Sequence, residues 1–164
     1  LAQQIADDLA ELQVFEVALG GGEPTLHPDF IAILKAYKGH GIVANFTTRN
    51  LAWLRDPDAT QKIIQNCGAF AYSARNHREV KELATLLDYN RIAKHKATIQ
   101  VVLGTFDTWE LQSILDEAGK AGLRTTLLGF KSTGRGANFQ PKHYTNWLDI
   151  VKDHNAGGVS IDTA

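Results

Sequence analysis

Val14-Phe15-Glu16-Val17-Ala18-Leu19-Gly20-Gly21-Gly22-Glu23-Pro24 is the stretch on which the architecture turns. Its first six residues form a compact, mostly apolar run of strand length, and three consecutive glycines end it. Upstream, Ile5, Leu9 and Leu12 recur at helical spacing. Downstream, Pro28 and Asp29 open a second helix carrying Phe30, Ile31, Ile33, Leu34 and Tyr37. That helix gives way at Gly41 to the apolar run 42–47, so a helix followed by a buried strand has already occurred twice.

The unit keeps returning. A helix over 57–67 leads to a strand at 69–73, and a helix over 77–95 leads to a strand at 97–103. A helix begun by Asp107 or Thr108 ends at Ala121-Gly122, before a strand at 124–130. After a Gly-rich loop, Pro141 opens a last helix running through Val151, and residues 157–161 read as a final strand. Strands separated by helices of this length must pair in parallel, through right-handed crossovers. Near-continuous apolar strands predict that both sheet faces are covered, or that one lines a packed barrel interior. The pattern fits a doubly wound sheet or a (β/α) barrel in a single domain. A full eight-unit barrel takes about 250 residues, so these 164 suffice for only part of one. In either architecture ligands bind beyond the C-terminal ends of the strands.

Composition removes several function classes. With 17 Lys+Arg against 18 Asp+Glu there is no cationic surplus to drive nucleic-acid binding, and the densest basic stretch, 91–96, falls on an expected helix end. The run 63–74 is free of charge and His but contains Gln65, Asn66 and Ser73, so no membrane span is expected. Cys67, the single cysteine, can form neither an internal disulfide, nor a CxxC zinc site, nor an iron–sulfur cluster held by three or four thiolates. A reducing, cytoplasmic location is the expectation. The chain opens at Leu1 and contains no Met, which reads as a fragment of something longer.

The residues just past each strand carry the candidate chemistry. In Gly20-Gly21-Gly22-Glu23-Pro24 the glycines remove every Cβ, so a ligand can approach the backbone closely, and Pro24 sets the direction of the chain that follows. Backbone carbonyls and the Glu23 carboxylate could together accept hydrogen bonds from an ammonium group. A tight turn with a solvated Glu is the alternative. Thr47-Thr48-Arg49-Asn50, Ser73-Ala74-Arg75-Asn76 and residues 129–136 each put hydroxyls and a cation at a strand end, which suits a ligand with a carboxylate and ribose hydroxyls. Lys131 and Arg135 fit a phosphate clamp equally well. The six His residues are scattered, with no HxxH or HExxH spacing, and only His27, beside the glycines, stays a candidate. Ser73 lacks the GxSxG context of a hydrolase nucleophile, and residues 20–24 match neither GxGxxG nor a P-loop. Cys67, Trp53, Trp109 and Trp147 are expected to serve packing.

The string Gly21-Gly22-Glu23-Pro24-Thr25-Leu26-His27-Pro28-Asp29-Phe30, placed after an apolar strand, resembles the GGEP motif of the radical SAM superfamily. Further along, Asn45-Phe46-Thr47-Thr48 resembles that family's third-strand end, Ser73 with Arg75 the fourth, Val101-Val102-Leu103-Gly104 the fifth, and residues 128–136 the sixth. The resemblance covers nearly the whole chain. It implies a partial (β/α)6 TIM-type barrel with parallel strands, first strand missing, as one incomplete core domain over 1–164. It also implies S-adenosylmethionine (SAM) bound across the strand ends, and a [4Fe–4S] cluster that cleaves it to a 5′-deoxyadenosyl radical for hydrogen abstraction.

Carried over residue by residue, Gly21, Gly22, Glu23 and Pro24 would meet the methionyl ammonium. Thr47 and Thr48 fall in the same binding set, as does Lys131. Ser73 and Arg75 would address ribose and carboxylate, and Val102, Leu103 and Gly104 would flank the adenine. Arg75 stands where an acid is frequent in the family. The family's CxxxCxxC loop is absent, so the resemblance implies an enzyme whose cluster ligands lie outside these residues and a fragment that is inactive by itself. An unidentified substrate and an apolar edge at residues 14–19, prone to dimerise, complete the expectation. Two further readings stand beside it. One is a small (β/α) protein taking a phosphorylated metabolite with Lys131 and Arg135, and the other a non-catalytic scaffold without a cluster.

Overall fold

The structure is a computed structural model that describes residues 1–129, 138, 140, 142, 147–153 and 158–162. Helices α1 (Ala2–Glu11), α2 (Phe30–Gly39), α3 (Pro57–Asn66), α4 (His77–Tyr89), α5 (Thr108–Lys120) and α6 (Trp147–Asp153) alternate with six strands. The strands are β1 (Glu16–Leu19), β2 (Val43–Thr48), β3 (Phe70–Ser73), β4 (Ala97–Val102), β5 (Arg124–Leu128) and β6 (Val159–Asp162). Local chemistry explains where the helices start. Asp56 accepts hydrogen bonds from the backbone N–H groups of Asp58 and Ala59 ahead of Pro57. Asp107 and Glu110 form a reciprocal capping box at α5.

Four helices end in one way. The residues after α1, α2, α4 and α5, namely Gln13, Gly41, Arg91 and Gly122, take positive φ of 56°, 74°, 55° and 67°. The next residue in each case donates its N–H back into the last turn: Val14 to Leu9, Ile42 to Tyr37, Ile92 to Leu87 and Leu123 to Ala118, at 2.8–3.0 Å. This left-handed stop reverses the chain into the following strand. It also corrects the helix expected over 77–95, because Asn90 bonds through Nδ2 to the carbonyl oxygens of Leu54 and Leu86 and Arg91 turns left-handed, ending α4 at Tyr89. The basic stretch therefore lies beyond the helix.

The chain divides into two compact units. The first comprises Leu1–Tyr72 and Leu86–Ala97, and in it β1, β2 and β3 pair in parallel, with Val17 opposite Ala44 and Thr47 opposite Ala71. The second comprises Ser73–Thr85 and Thr98–Ala164, with β4, β5 and β6 parallel and Gln100, Thr126 and Ser160 in register. Strand order follows chain order throughout. The α/β class with parallel strands is as expected.

One expectation about the strands fails. In β2, Ala44, Phe46 and Thr48 are buried while Val43, Asn45 and Thr47 are not, and β4 and β5 alternate likewise. On the buried side of the first unit, the Phe46 ring lies 5.1 Å from Phe30 of α2, 5.6 Å from Phe70 and 5.9 Å from Trp53. The other side carries Glu16, Asn45 and Thr47 in the first unit, and Thr98, Gln100 and Thr126 in the second. In each unit the strands thus bury one face and keep the other polar and partly open. The apolar runs concealed this because Val, Ala and Leu occupy several half-open positions. Trp109 likewise departs from a packing role, being 66% exposed. β1 stands at the end of the strand order, and Leu12 and Phe15 ahead of it are exposed.

Gly68, just before β3, is where the first sheet is tightest. A Cβ there would overlap Val43 Cγ1 and Asn45 Oδ1, and the Asn45 oxygen is held in place by the Ala69 N–H at 2.7 Å. Gly68→Ala is expected to lower stability in urea by about 1–3 kcal/mol. The double variant with Val43→Ala should recover only part of that, since the Asn45 clash remains.

Candidate functional site

The turn after β1 is tied to the end of β2 by one carboxylate. Glu23 Oε1 accepts from Thr48 Oγ1 at 2.6 Å, from Thr25 Oγ1 at 2.7 Å and from the Thr25 N–H at 3.3 Å, while Oε2 accepts from the Arg49 N–H at 2.8 Å. Asn50 extends the network, donating from Nδ2 to Thr25 Oγ1 at 3.0 Å and from its backbone N–H to Thr48 Oγ1 at 2.9 Å. Thr48 is 1% exposed, so its hydroxyl needs an internal partner, and Glu23 supplies one. The sequence allows this because Glu23 caps the short 3-10 turn Pro24–Leu26, with Pro24 at its first position. Partial burial works to raise the Glu23 pKa and is the largest single influence, but the bonds from Thr48, Arg49 and Thr25 together outweigh it and hold the group below its ordinary 4.5.

The glycines beside this latch are bare. A Cβ on Gly20, Gly21 or Gly22 would meet nothing within 4 Å, so internal packing does not demand glycine at any of the three. Gly21 alone is required by the backbone, at φ +128°. The space over the three glycines is open, while the neighbouring carboxylate is held by three bonds to Oε1 and one to Oε2. The structure therefore gives Glu23 a rigid anchoring job that spacing alone did not show. His27 closes the same turn, its Nδ1 accepting from the Asp29 N–H at 3.1 Å.

Among the other expected residues, Thr47 lies on the open side of β2, next to the latch. In the second unit, Ser73 ends β3 and the Arg75 guanidinium is engaged by Glu79, with Nη2 at 2.7 Å and Nε at 2.8 Å from Oε1. The Arg75 N–H donates to Glu79 Oε2 at 2.8 Å, making a local loop-to-helix clamp. Val102 ends β4, and Leu103 and Gly104 follow it in the turn. Leu103 donates to the Leu128 carbonyl at 2.9 Å, Thr105 Oγ1 to that of Val102 at 2.6 Å, and Gly104, at φ +88°, accepts from the Lys142 N–H at 2.8 Å. Lys131 and Arg135 lie outside the described residues. Sequence reasoning quoted Thr25 and Asn50 in their segments and gave neither a part in holding Glu23 and Thr48. Their signal was present in Glu23-x-Thr25 and Thr48-x-Asn50, spacings at which a side chain reaches the backbone or hydroxyl two residues away.

An iron–sulfur cluster does not fit this chain. Cys67 is buried, and burial pushes its thiol pKa up despite the opposing charge of Lys96. Among the described residues no group of three or more His, Cys, Asp or Glu could hold a metal ion.

Because the folded pKa of Glu23 is depressed, its stabilising contribution is full above 4.5 and disappears as pH falls through the folded value. Glu23→Gln is expected to cost about 1–2 kcal/mol at neutral pH, and to remove that share of the acid-induced loss below pH 4.5. Denaturant titrations of both proteins between neutral and acid pH check this. Equal acid sensitivity of the two would contradict the latch.

No protein-family model matches the chain. It is similar to the mycofactocin maturase MftC of Mycobacterium ulcerans, 27% identical over 156 residues, spanning 83% of this chain and 40% of that protein. A shorter match to the mycofactocin maturase MftC of Mycobacterium tuberculosis is 39% identical over 49 residues. Among solved structures, Streptococcus suis SuiB bound to precursor peptide SuiA superposes with a TM-score of 0.78 at 16% identity, covering 99% of this chain and 41% of that one. SuiB bound to S-adenosylmethionine gives 0.73 at the same identity, covering 42% of that chain. This chain therefore spans about two fifths of the length of the proteins it resembles. The fold shared with SuiB is the partial TIM-type barrel with parallel strands. That fold, the similarity to the maturases and the Gly-Gly-Glu-Pro turn at the end of β1 agree with the resemblance to the radical SAM superfamily.

Proposed function

We propose that this chain is the SAM-binding part of a radical SAM enzyme that acts on a peptide, and that its cluster thiolates come from outside the 164 residues. The observation that carries the reading is the turn after β1: Glu23 is locked by four internal hydrogen bonds while three glycines beside it face open space. A cationic amino group seated there is met by fixed backbone dipoles and needs no reorganisation of the turn. Gly21, Gly22, Glu23 and Pro24 are assigned to the methionyl end of SAM, with Thr47 and Thr48 holding the neighbouring strand end. The resemblance assigns Ser73 and Arg75 to ribose and carboxylate, Val102, Leu103 and Gly104 to the adenine, and Lys131 to the same binding set.

Peptide chemistry is suggested by the relatives, one named a maturase and the other solved with a precursor peptide. SAM supplies the adenosyl radical in this family only when a reduced cluster cleaves it, and no residue of this chain provides that step. The work left to the chain is to bind SAM and orient it. Since Arg75 is already clamped by Glu79, its part is to fix the loop after β3.

Two measurements test this. Titration of SAM against the 164-residue chain should shift the backbone amide resonances of Gly21, Gly22 and Thr48, with a dissociation constant in the millimolar range. Gly21→Ala, strained by its φ, should abolish those shifts while leaving the rest of the spectrum in place. After anaerobic reconstitution the same chain should hold no stoichiometric iron or sulfide, whereas the protein made from the whole gene should hold both. Absence of SAM shifts at the turn would overturn the binding assignment, and a cluster-free whole-gene product would overturn the radical SAM activity.

A further inference from the structure

A groove of about 420 Å³ runs between α3 and the connection from α4 to β4, and it shares no residue with the strand-end turns described above. Ile64 and Ile92 give it apolar surface, Gln61 and Gln65 come from α3, and Arg91 and His95 come from the connection. The neighbouring lysines are committed elsewhere. Lys96 Nζ donates to the carbonyls of Gly68 at 2.7 Å and Cys67 at 3.2 Å, and Lys94 pairs with Asp88 at 2.6 Å. The side chains of Arg91, Gln61 and Gln65 have no hydrogen-bond or ion-pair partner among the described residues.

Arg91 occupies a position that favours glycine. The equivalent stops after α2 and α5 are Gly41 and Gly122, whereas Arg91 takes φ +55° with a full side chain. Arginine there is strained relative to glycine and gains no partner among the described residues in return, and it lines the groove against the local backbone preference.

We propose that this groove binds an extended, acidic polypeptide segment. Gln61 and Gln65 sit one turn apart on α3, a rise of about 6 Å. Alternate residues of an extended chain repeat about every 6.6 Å. Two primary amides at that interval can each donate to and accept from successive peptide groups on one side of such a segment. Arg91 and His95 then face its carboxylates, the guanidinium taking one in a bidentate pair, while Ile64 and Ile92 receive an intervening apolar side chain. Length along α3 and charge across the groove together select an extended anionic chain over a compact anion.

The test is fluorescence anisotropy of a fluorescein-labelled Glu-Val-Glu-Val-Glu peptide with the 164-residue protein at low salt, with Lys-Val-Lys-Val-Lys for comparison and inorganic phosphate as competitor. Saturable binding of the acidic peptide alone is expected. Arg91→Gly should weaken it about three- to tenfold with an unchanged or higher thermal midpoint, because the glycine relieves the backbone. Gln61→Ala combined with Gln65→Ala should also weaken it, and Lys120→Ala, at the end of α5, should not. Equal binding of the basic peptide, unaltered affinity in Arg91→Gly, or full displacement by equimolar phosphate would each overturn the proposal, the last by making the groove a small-anion site.

Discussion

Parallel pairing is the constraint from which the rest of this molecule follows. Two neighbouring strands that run the same way cannot be joined by a tight turn, so each must return through a helix on the covered face. That requirement sends the C-terminal ends of a unit's strands to one side, where the loops are free of helix packing. It also explains why α1, α2, α4 and α5 share one left-handed stop, since each must reverse direction within a few residues to feed the next strand. Where the stop is glycine the reversal is free of strain, and where it is Gln13 or Arg91 the backbone carries some.

On the side of the strand ends, the first unit uses a charge to hold a loop still. Glu23 gathers two hydroxyls and two backbone N–H groups. Its negative charge is therefore spent inside the protein, and the adjoining glycines present backbone to the outside. The hydrogen bonds to Glu23 hold the backbone of this turn against the end of β2. The second unit does something similar with different residues, where Glu79 clamps both the guanidinium and the N–H of Arg75. In both units an acid that looks available in the linear sequence is a fastener in three dimensions.

The alternation of helix and strand, the parallel pairing, the start of α5 at Asp107 and the breaks at Gly41 and Gly122 were all legible beforehand, because each rests on local chemistry. The misreadings have specific causes. The helix over 77–95 looked continuous since residues 90–95 contain no glycine or proline, and the stop is made by Asn90 reaching Leu54, far away in sequence. The strands looked covered on both faces, or covered on one with the other lining a packed barrel interior, because Val and Ala tolerate half-open positions. Trp109 looked like core because an indole usually is, yet it stands 66% exposed.

The amino-acid sequence alone determined the class of fold, the number and order of its units, and the turn at Gly21 to Pro24 that resembles the radical SAM motif, because these depend on periodicity, on residues that permit unusual φ, and on composition. It also excluded a thiolate-held cluster, since a single cysteine cannot supply the ligands. Only the tertiary structure decided what those residues do to one another. That Glu23 is bonded by Thr25, Thr48 and Arg49, that Gly68 is held by Val43 and Asn45, and that Arg91 lines a groove without a partner among the described residues are facts of side-chain placement that local spacing does not record. Hydrogen bonding and steric exclusion act over a few ångströms, and no linear spacing records which distant residues will come within that reach.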